Sequence, residues 1–228
     1  RWQGRLAPGE WILKTDLFEE ATGEDAPAWR MRAMGWRPLG TDVGRGIVRT
    51  ALRRGAPAMA AVCDVRRLAF APGTIPAIFC NSTLDHFEHA GEIDVALGEL
   101  WRVLRPGGLL MLTLDNPRHP VVALRNALPR RLTDVLGITN FHVGPTLALD
   151  DACRCLAAIG FEILESGTFM HVLRYLALAR LRRMAADPDA TEREVHRMLE
   201  RETRALRPGA QRTGHFIFVH ARKPEVPS

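Results

Sequence analysis

Residues Glu92–Asp115 read EIDVALGELWRVLRPGGLLMLTLD, and the change of period inside this stretch decides the fold. Ile93, Leu97, Leu100 and Leu104 recur at helical spacing, which predicts a helix over Glu92–Leu104 with one apolar stripe. Arg105-Pro106-Gly107-Gly108 stops that helix, since proline cannot extend it and glycine takes the turn conformations that other residues avoid. The apolar run Leu109–Leu114 then predicts a strand covered on both faces. A helix delivered through a short turn into a buried strand is the repeating unit of a parallel sheet with helices on either side.

Working outward, the same alternation extends upstream. Short apolar runs predict strands at Trp11–Thr15, Arg37–Thr41, Ala58–Cys63 and Pro76–Cys80, with helices between them. Downstream the pattern breaks. Residues 116–146 are rich in Pro, Arg and Asn and predict an insertion holding one short helix, Val121–Ala127. A helix at Asp150–Ile159 ends at Gly160-Phe161, and Phe161–Glu165 reads as a sixth strand. Two arginine-rich helices follow, about His171–Ala185 and Thr191–Leu206, parted by Asp187-Pro188-Asp189, and HFIFVHA at His215–Ala221 reads as the last strand. The expected fold is α/β, a Rossmann-like, doubly wound and mostly parallel sheet of about seven strands with helices on both faces.

Composition narrows the function. At 228 residues with 46% hydrophobic and 25% charged, the chain is expected to form one domain around one core. The 31 Lys and Arg exceed the 26 Asp and Glu, but the excess is arginine spread along helices, so a solvated basic surface is expected and a nucleic-acid partner is not. Cys63, Cys80, Cys153 and Cys155 lie in apolar stretches without metal-ligand spacing, so reduced thiols in a cytoplasm are expected, with no metal. No apolar run approaches the ~18 residues that would span a bilayer. Because the chain begins at Arg1 rather than Met, the missing signal peptide carries little weight.

In an open α/β sheet, ligands collect outside the carboxyl ends of the strands. Those ends carry Thr15–Gly23 after the first strand, Asp42 after the second, Asp64 after the third and Asn81-Ser82-Thr83 after the fourth. A carboxylate at Asp42 offers two coplanar oxygens to the hydroxyls of a ribose, or equally an acceptor to the start of the next helix. Asp64 suits the exocyclic amine of adenine, with Val65 or a neighbouring amide at the ring nitrogen; a turn role is the alternative. Neither G-x-G-x-x-G nor G-x-x-x-x-G-K is present, so a pyrophosphate cradle is disfavoured. Instead Asp16, Glu19, Glu20 and Glu24 make the first loop acidic, which repels phosphate and favours a cationic ligand, unless the glutamates merely begin a helix.

Taken in order, Leu39-Gly40-Thr41-Asp42, Cys63-Asp64-Val65-Arg66-Arg67-Leu68-Ala69-Phe70, Phe79-Cys80-Asn81-Ser82-Thr83-Leu84-Asp85-His86-Phe87 and Leu104-Arg105-Pro106-Gly107-Gly108-Leu109-Leu110 resemble class I S-adenosylmethionine-dependent methyltransferases of the small-molecule type. The resemblance runs from about Trp11 to Glu165 and returns at His215. It implies S-adenosylmethionine as cofactor, with Asp42 and Val43 toward the ribose, Asp64 and Val65 toward adenine, Asn81 and Ser82 as the wall near the methyl group, and Gly107-Gly108 as a structural turn. The chain departs from the family at the first loop. Where members carry a Gly-x-Gly-x-Gly-like stretch, this one reads Lys14-Thr15-Asp16-Leu17-Phe18-Glu19-Glu20-Ala21-Thr22-Gly23. Only Gly23 matches a family glycine there, and Asp16 is the best match for the usual acidic residue; Asp16, Glu20 and Gly23 are the loop's expected cofactor contacts.

Methyl transfer from a sulfonium asks the protein mainly to align the acceptor and exclude water. His86 is the candidate base, while His119, His142 and His171 lie in segments able to form a lid. The insertions at about 116–146 and 171–209 are expected to cover the acceptor site. Phe141, Phe169, Met170, Leu173 and Tyr175 are candidates for an apolar pocket, and Arg174, Arg180, Arg182 and Arg183 for contacts to an anionic acceptor; ordinary helix packing and solvation explain both sets as well. Asp115-Asn116-Pro117 follows the fifth strand and lacks an aromatic residue, so the function of nucleic-acid amino-methylating enzymes is not carried over. Three readings result: a small-molecule methyltransferase, a catalytically silent binding or scaffolding relative, and, disfavoured by the missing phosphate loop, a nicotinamide-dependent reductase.

Overall fold

The computed structural model describes residues 6–24, 26–128, 144–171, 174–204 and 212–225. A seven-stranded sheet in the order β3-β2-β1-β4-β5-β7-β6 organises them. The strands are β1 Trp11–Lys14, β2 Arg37–Asp42, β3 Met59–Val62, β4 Ile75–Asn81, β5 Leu104–Asp115, β6 Glu162–Phe169 and β7 Phe216–Arg222. The helices are α1 Phe18–Thr22, α2 Pro27–Ala33, α3 Arg45–Arg53, α4 Gly91–Val103, α5 Pro120–Ala127, α6 Leu149–Ile159, α7 Arg174–Met184 and α8 Pro188–Arg204. All pairs are parallel except those made by β7, which runs antiparallel to both β5 and β6. The doubly wound fold read from the sequence is therefore the fold observed.

Burial explains why these segments are strands. Ile12 and Leu13 are consecutive in β1 and both fully buried, as are Ala77 and Ile78 in β4, so each strand is covered above and below. On one face Ile78, Cys80, Leu110, Leu112 and Leu114 pack with Ile93, Leu97 and Leu100 of α4. On the other, Ile12, Ala77 and Leu109 meet Met31 of α2 and Trp36. Each fully buried leucine or isoleucine contributes about 2 kcal/mol of transfer free energy, so the central strands anchor the site described below.

Two strand boundaries differ from the reading of the sequence by four residues or more. β5 starts at Leu104, not Leu109: Leu104 pairs with Ile75, the ladder steps past Arg105–Gly108, and pairing resumes at Leu109 with Ala77. The turn is held because Gly107 N–H donates to the Lys223 carbonyl (2.8 Å) and Lys223 N–H to the Gly108 carbonyl (3.0 Å). β6 runs to Phe169 rather than Glu165 because it pairs with β7 along its whole length. As the sheet's edge it tolerates Glu165, Ser166, Gly167 and Thr168, which hide its true end from an apolar pattern.

Gly160 ends α6 with φ +116°, and a Cβ there would lie 3.0 Å from the Trp101 ring, which meets Phe161 edge to face at 4.8 Å. Gly160→Ala should lower unfolding free energy by about 1–2 kcal/mol, from left-handed strain and displacement of Trp101. Urea denaturation checks this; an unchanged midpoint would mean that neither effect operates.

Candidate active site

The chain crosses from one side of the sheet to the other between β1 and β4, which neighbour each other although β2 and β3 intervene in sequence. That switch point opens a crevice at the carboxyl ends of the strands. Thr15–Leu17 leaves β1 on one side of it and Asn81–His86 leaves β4 on the other. The two are joined directly: Thr15 Oγ1 and Thr83 Oγ1 share a hydrogen bond of 2.7 Å, and Thr15 N–H donates to the Phe79 carbonyl (3.4 Å).

Asp16 is half-buried in this crevice, its Oδ1 accepting the Phe18 N–H at 2.9 Å. Burial pushes its carboxyl above the usual range, Lys14 opposes that, and Asp42 and His86 are both near enough to act on it. The Leu17 N–H held by Asp42 and the Thr15–Thr83 bond join the ends of β1, β2 and β4 from which Asp16, Asp42 and His86 project. Asp42, at the end of β2, spends one bond on each oxygen: Oδ2 accepts Leu17 N–H (3.1 Å) and Oδ1 accepts Gly44 N–H (2.7 Å). The helix-start role open to it in the sequence is therefore realised, and lone pairs remain on both oxygens for a further donor. Val43 beside it is 69% exposed, an apolar surface at the rim of the crevice.

The remaining expected contacts divide. Asn81 Oδ1 accepts the Thr113 hydroxyl (2.8 Å), and Ser82 N–H donates to the Thr113 carbonyl (3.0 Å) with φ +45°, an uncommon conformation for a residue with a side chain. Asp64 is held by Arg66, through Nε at 3.0 Å and the Arg66 backbone N–H at 2.8 Å, and this hydrogen bonding keeps its carboxyl below the usual range. Three expected contacts are not brought into the crevice by their side chains. Val65 packs into the core and offers only its backbone. Gly23 closes α1 by donating its N–H to the Glu19 carbonyl (2.7 Å). Glu20 is fully buried, paired with Lys14 Nζ at 3.0 Å and accepting Ala28 N–H at 3.1 Å. A carboxylate committed to an interior lysine and an amide has turned away from the ligand side.

His86 lies in a one-turn 3-10 helix, Leu84–His86, its side chain about a third exposed, with Nε2 3.9 Å from Asp85 Oδ1. Asp85 is the group the sequence reading missed. It is buried, Oδ2 accepts the Asp115 N–H (3.1 Å), and Oδ1 has no hydrogen-bond partner among the described residues. Burial, and next the charge of Asp115, push its carboxyl up to about 6. Asp115 itself meets Arg125 Nη1 at 2.6 Å and lies 4.0 Å from His215 Nε2. His119 is buried with its ring 5.0 Å from that of His215, and burial lowers its pKa. Asp85 stands out in sequence only as an acid inside the half-apolar run Leu84–Phe87.

Of the other candidates, His171 is taken up by Thr213 Oγ1 (2.8 Å) and the Thr168 carbonyl (3.2 Å), joining the end of β6 to the approach to β7. Phe169 stacks on Phe216 at 5.3 Å. Arg180 lies 3.6 Å from Glu194, with no anion needed to explain it. Phe141, His142 and Leu173 lie outside the described residues, as do the side chains of Arg174 and Tyr175. No group of three or more His, Cys, Asp or Glu able to hold a metal occurs among the described residues.

Residues 20–112 match the family described as "Methyltransferase domain". The match takes in β2 to β4 and most of β5, and begins after β1, within the unusual first loop. No curated protein matches the chain. Among solved structures, the [4+2]-cyclase SpnF is similar at 22% identity and TM-score 0.61, over 97% of this chain and 77% of that one. Phosphoethanolamine N-methyltransferase 2 of Haemonchus contortus, bound to S-adenosyl-L-methionine, is 17% identical with TM-score 0.61, over 96% of this chain but 50% of that enzyme. A SAM-dependent methyltransferase from Methanosarcina mazei is 14% identical with TM-score 0.63, over 98% and 97%. At these identities the structural likeness is one of fold.

Proposed function

We propose that this class I S-adenosylmethionine-dependent methyltransferase transfers its methyl group to a small-molecule acceptor held over the carboxyl ends of β4 and β5. The observation that carries the reading is the joining of the ends of β1, β2 and β4 at the switch point, Leu17 N–H beside Asp16 on Asp42 Oδ2 (3.1 Å) and Thr15 on Thr83 (2.7 Å), with the nearby cation, Lys14, paired with Glu20 at 3.0 Å. Two acidic groups without a phosphate cradle fit a cationic adenosyl ligand and oppose a dinucleotide. When bound, S-adenosylmethionine supplies a methyl group already activated by the sulfonium.

The chain's own residues then have four tasks. Asp42 accepts from the ribose with the lone pairs left by Leu17 and Gly44; Val43 covers an apolar face of the adenosine, and Asp64 with the Val65 amide meets its base. Asp16 faces the ammonium. Asn81 and Ser82, fixed on Thr113, wall the methyl end. His86, with the Asp85 carboxylate 3.9 Å behind it, takes the proton of an acceptor hydroxyl or amine. The chain is read as one domain in which segments 116–146 and 171–209 cover the acceptor. A reducing, cytoplasmic setting is supported by four free cysteines. Among the described residues no helix is long and apolar enough to cross a membrane.

Calorimetric titration with S-adenosylmethionine and S-adenosylhomocysteine, followed by labelled-methyl transfer to a panel of hydroxyl and amine metabolites, tests this reading. Cofactor binding with transfer, lost in His86→Ala, is the expected result; no heat at about millimolar cofactor, a floor set by the weakest specific binding, would overturn it. A second reading, a methyltransferase-like binding or scaffolding protein silent in methyl transfer, gains weight from SpnF, a [4+2]-cyclase of this fold. Binding without transfer to any acceptor would favour that silent reading.

A further inference from the structure

Lys14 is the structure's most unusual interior residue. It ends a strand otherwise made of Trp11, Ile12 and Leu13, and it is 1% exposed. Its Nζ donates to the carbonyl of Asp16 and pairs with Glu20 Oε2 at 3.0 Å, while Glu20 reaches on to Ala28 N–H. Burying two charges together costs several kcal/mol of desolvation, and such pairs are seldom a route to stability alone. Something in the site explains the expense.

The first loop supplies it. A glycine-rich loop follows a tight path because nothing projects from its backbone. Here Leu17 occupies that path, yet its side chain leaves by the back into the space where Gly40 has no Cβ, packing with Ala21, Val48 and Ala51. Its amide is pinned by Asp42, the Asp16 carbonyl is pinned by Lys14, and Thr41 Oγ1 donates to the Lys14 carbonyl (3.4 Å). The loop's course is thus fixed by side chains from within. The charge count also closes. An unpaired lysine here would cancel Asp16, but Glu20 neutralises it, so the field reaching the crevice remains that of Asp16 and Asp42.

We propose that the buried Lys14–Glu20 pair replaces the missing glycines: it shapes the first loop and preserves its negative field, so positioning the amino-acid end of S-adenosylmethionine. This rests on the cofactor reading above. Both residues are positioning residues, with no contact to the cofactor required.

Three ligands separate the roles by calorimetry on the full chain. S-adenosylmethionine carries the sulfonium and the amino-acid end, S-adenosylhomocysteine lacks the sulfonium, and 5′-methylthioadenosine lacks the amino-acid end. Lys14→Met should weaken S-adenosylmethionine and S-adenosylhomocysteine by about tenfold to thirtyfold while leaving methylthioadenosine within about twofold. Glu20→Gln, which leaves Lys14 uncompensated, should weaken S-adenosylmethionine about fivefold more than S-adenosylhomocysteine. Equal loss of all three ligands in parallel with a lowered Tm, or unchanged affinities in both variants, would overturn the proposal. If Lys14→Met fails to fold, the near-isosteric Glu20→Gln decides by its ratio of S-adenosylmethionine to S-adenosylhomocysteine affinity. A wild-type protein that binds neither cofactor would instead overturn the cofactor reading itself.

Discussion

Asp42→Ala should raise the dissociation constant for S-adenosylhomocysteine about a hundredfold, the equivalent of ~3 kcal/mol. Two losses combine. The ribose hydroxyls lose an acceptor that is charged and already oriented, which costs more than a neutral hydrogen bond. The Leu17 and Gly44 amides, at 3.1 and 2.7 Å from the carboxylate, also lose their partner, so the first loop and the start of α3 are released together. Asp42→Asn keeps one oxygen for one amide and should cost about tenfold. Titration calorimetry of the three proteins checks the series. Wild-type affinity in Asp42→Ala would return the residue to its helix-cap role alone.

Asp85→Asn should stabilise the protein, by an amount that grows as pH rises from the ordinary aspartate value and is complete above about pH 6. The sign follows from linkage. A carboxyl whose folded pKa is raised holds a proton that the unfolded chain has released, so stability falls as pH rises from the ordinary aspartate value to about 6 and stays lost above it. An asparagine bears no such ionisation cost and still offers an oxygen to the Asp115 N–H, 3.1 Å away in the native protein. The gain should approach ~3 kcal/mol at pH 8 and vanish near pH 4. Urea denaturation at the two pH values checks it; an equal difference at both, or a less stable variant at pH 8, would show that Asp85 serves the fold. Stabilisation together with lost methyl transfer would mark a group retained for function at the expense of stability.

Much of this was legible in the sequence, and the physical reason differs element by element. β1 and β4 are announced by apolar runs, because burial on both faces favours apolar residues at successive positions, and the helix before β5 by its single apolar stripe. Asp42, Asn81 and Ser82 are legible because the carboxyl end of a strand is a location the topology fixes. Glu20 and Gly23 misled: acidity and glycine content say nothing about which way a side chain turns, and the partner that draws Glu20 inward is Lys14, in another element. Asp85 stayed hidden because its perturbation comes first from burial and then from Asp115, thirty residues on, both of which arise only once β4 pairs with β5.

The Lys14–Glu20 pair also constrains how such a loop can change over evolutionary time. Exchanging either residue alone strands the other's charge in the interior, a step costing about 3–5 kcal/mol and comparable to much of a domain's stability margin. A lineage passing between a glycine loop and this one must therefore change both sites nearly together, or cross through a neutral pair, and Leu17 can persist only while residue 40 remains glycine. The loop is a single heritable unit spread over three elements, one that drifts as a set or not at all.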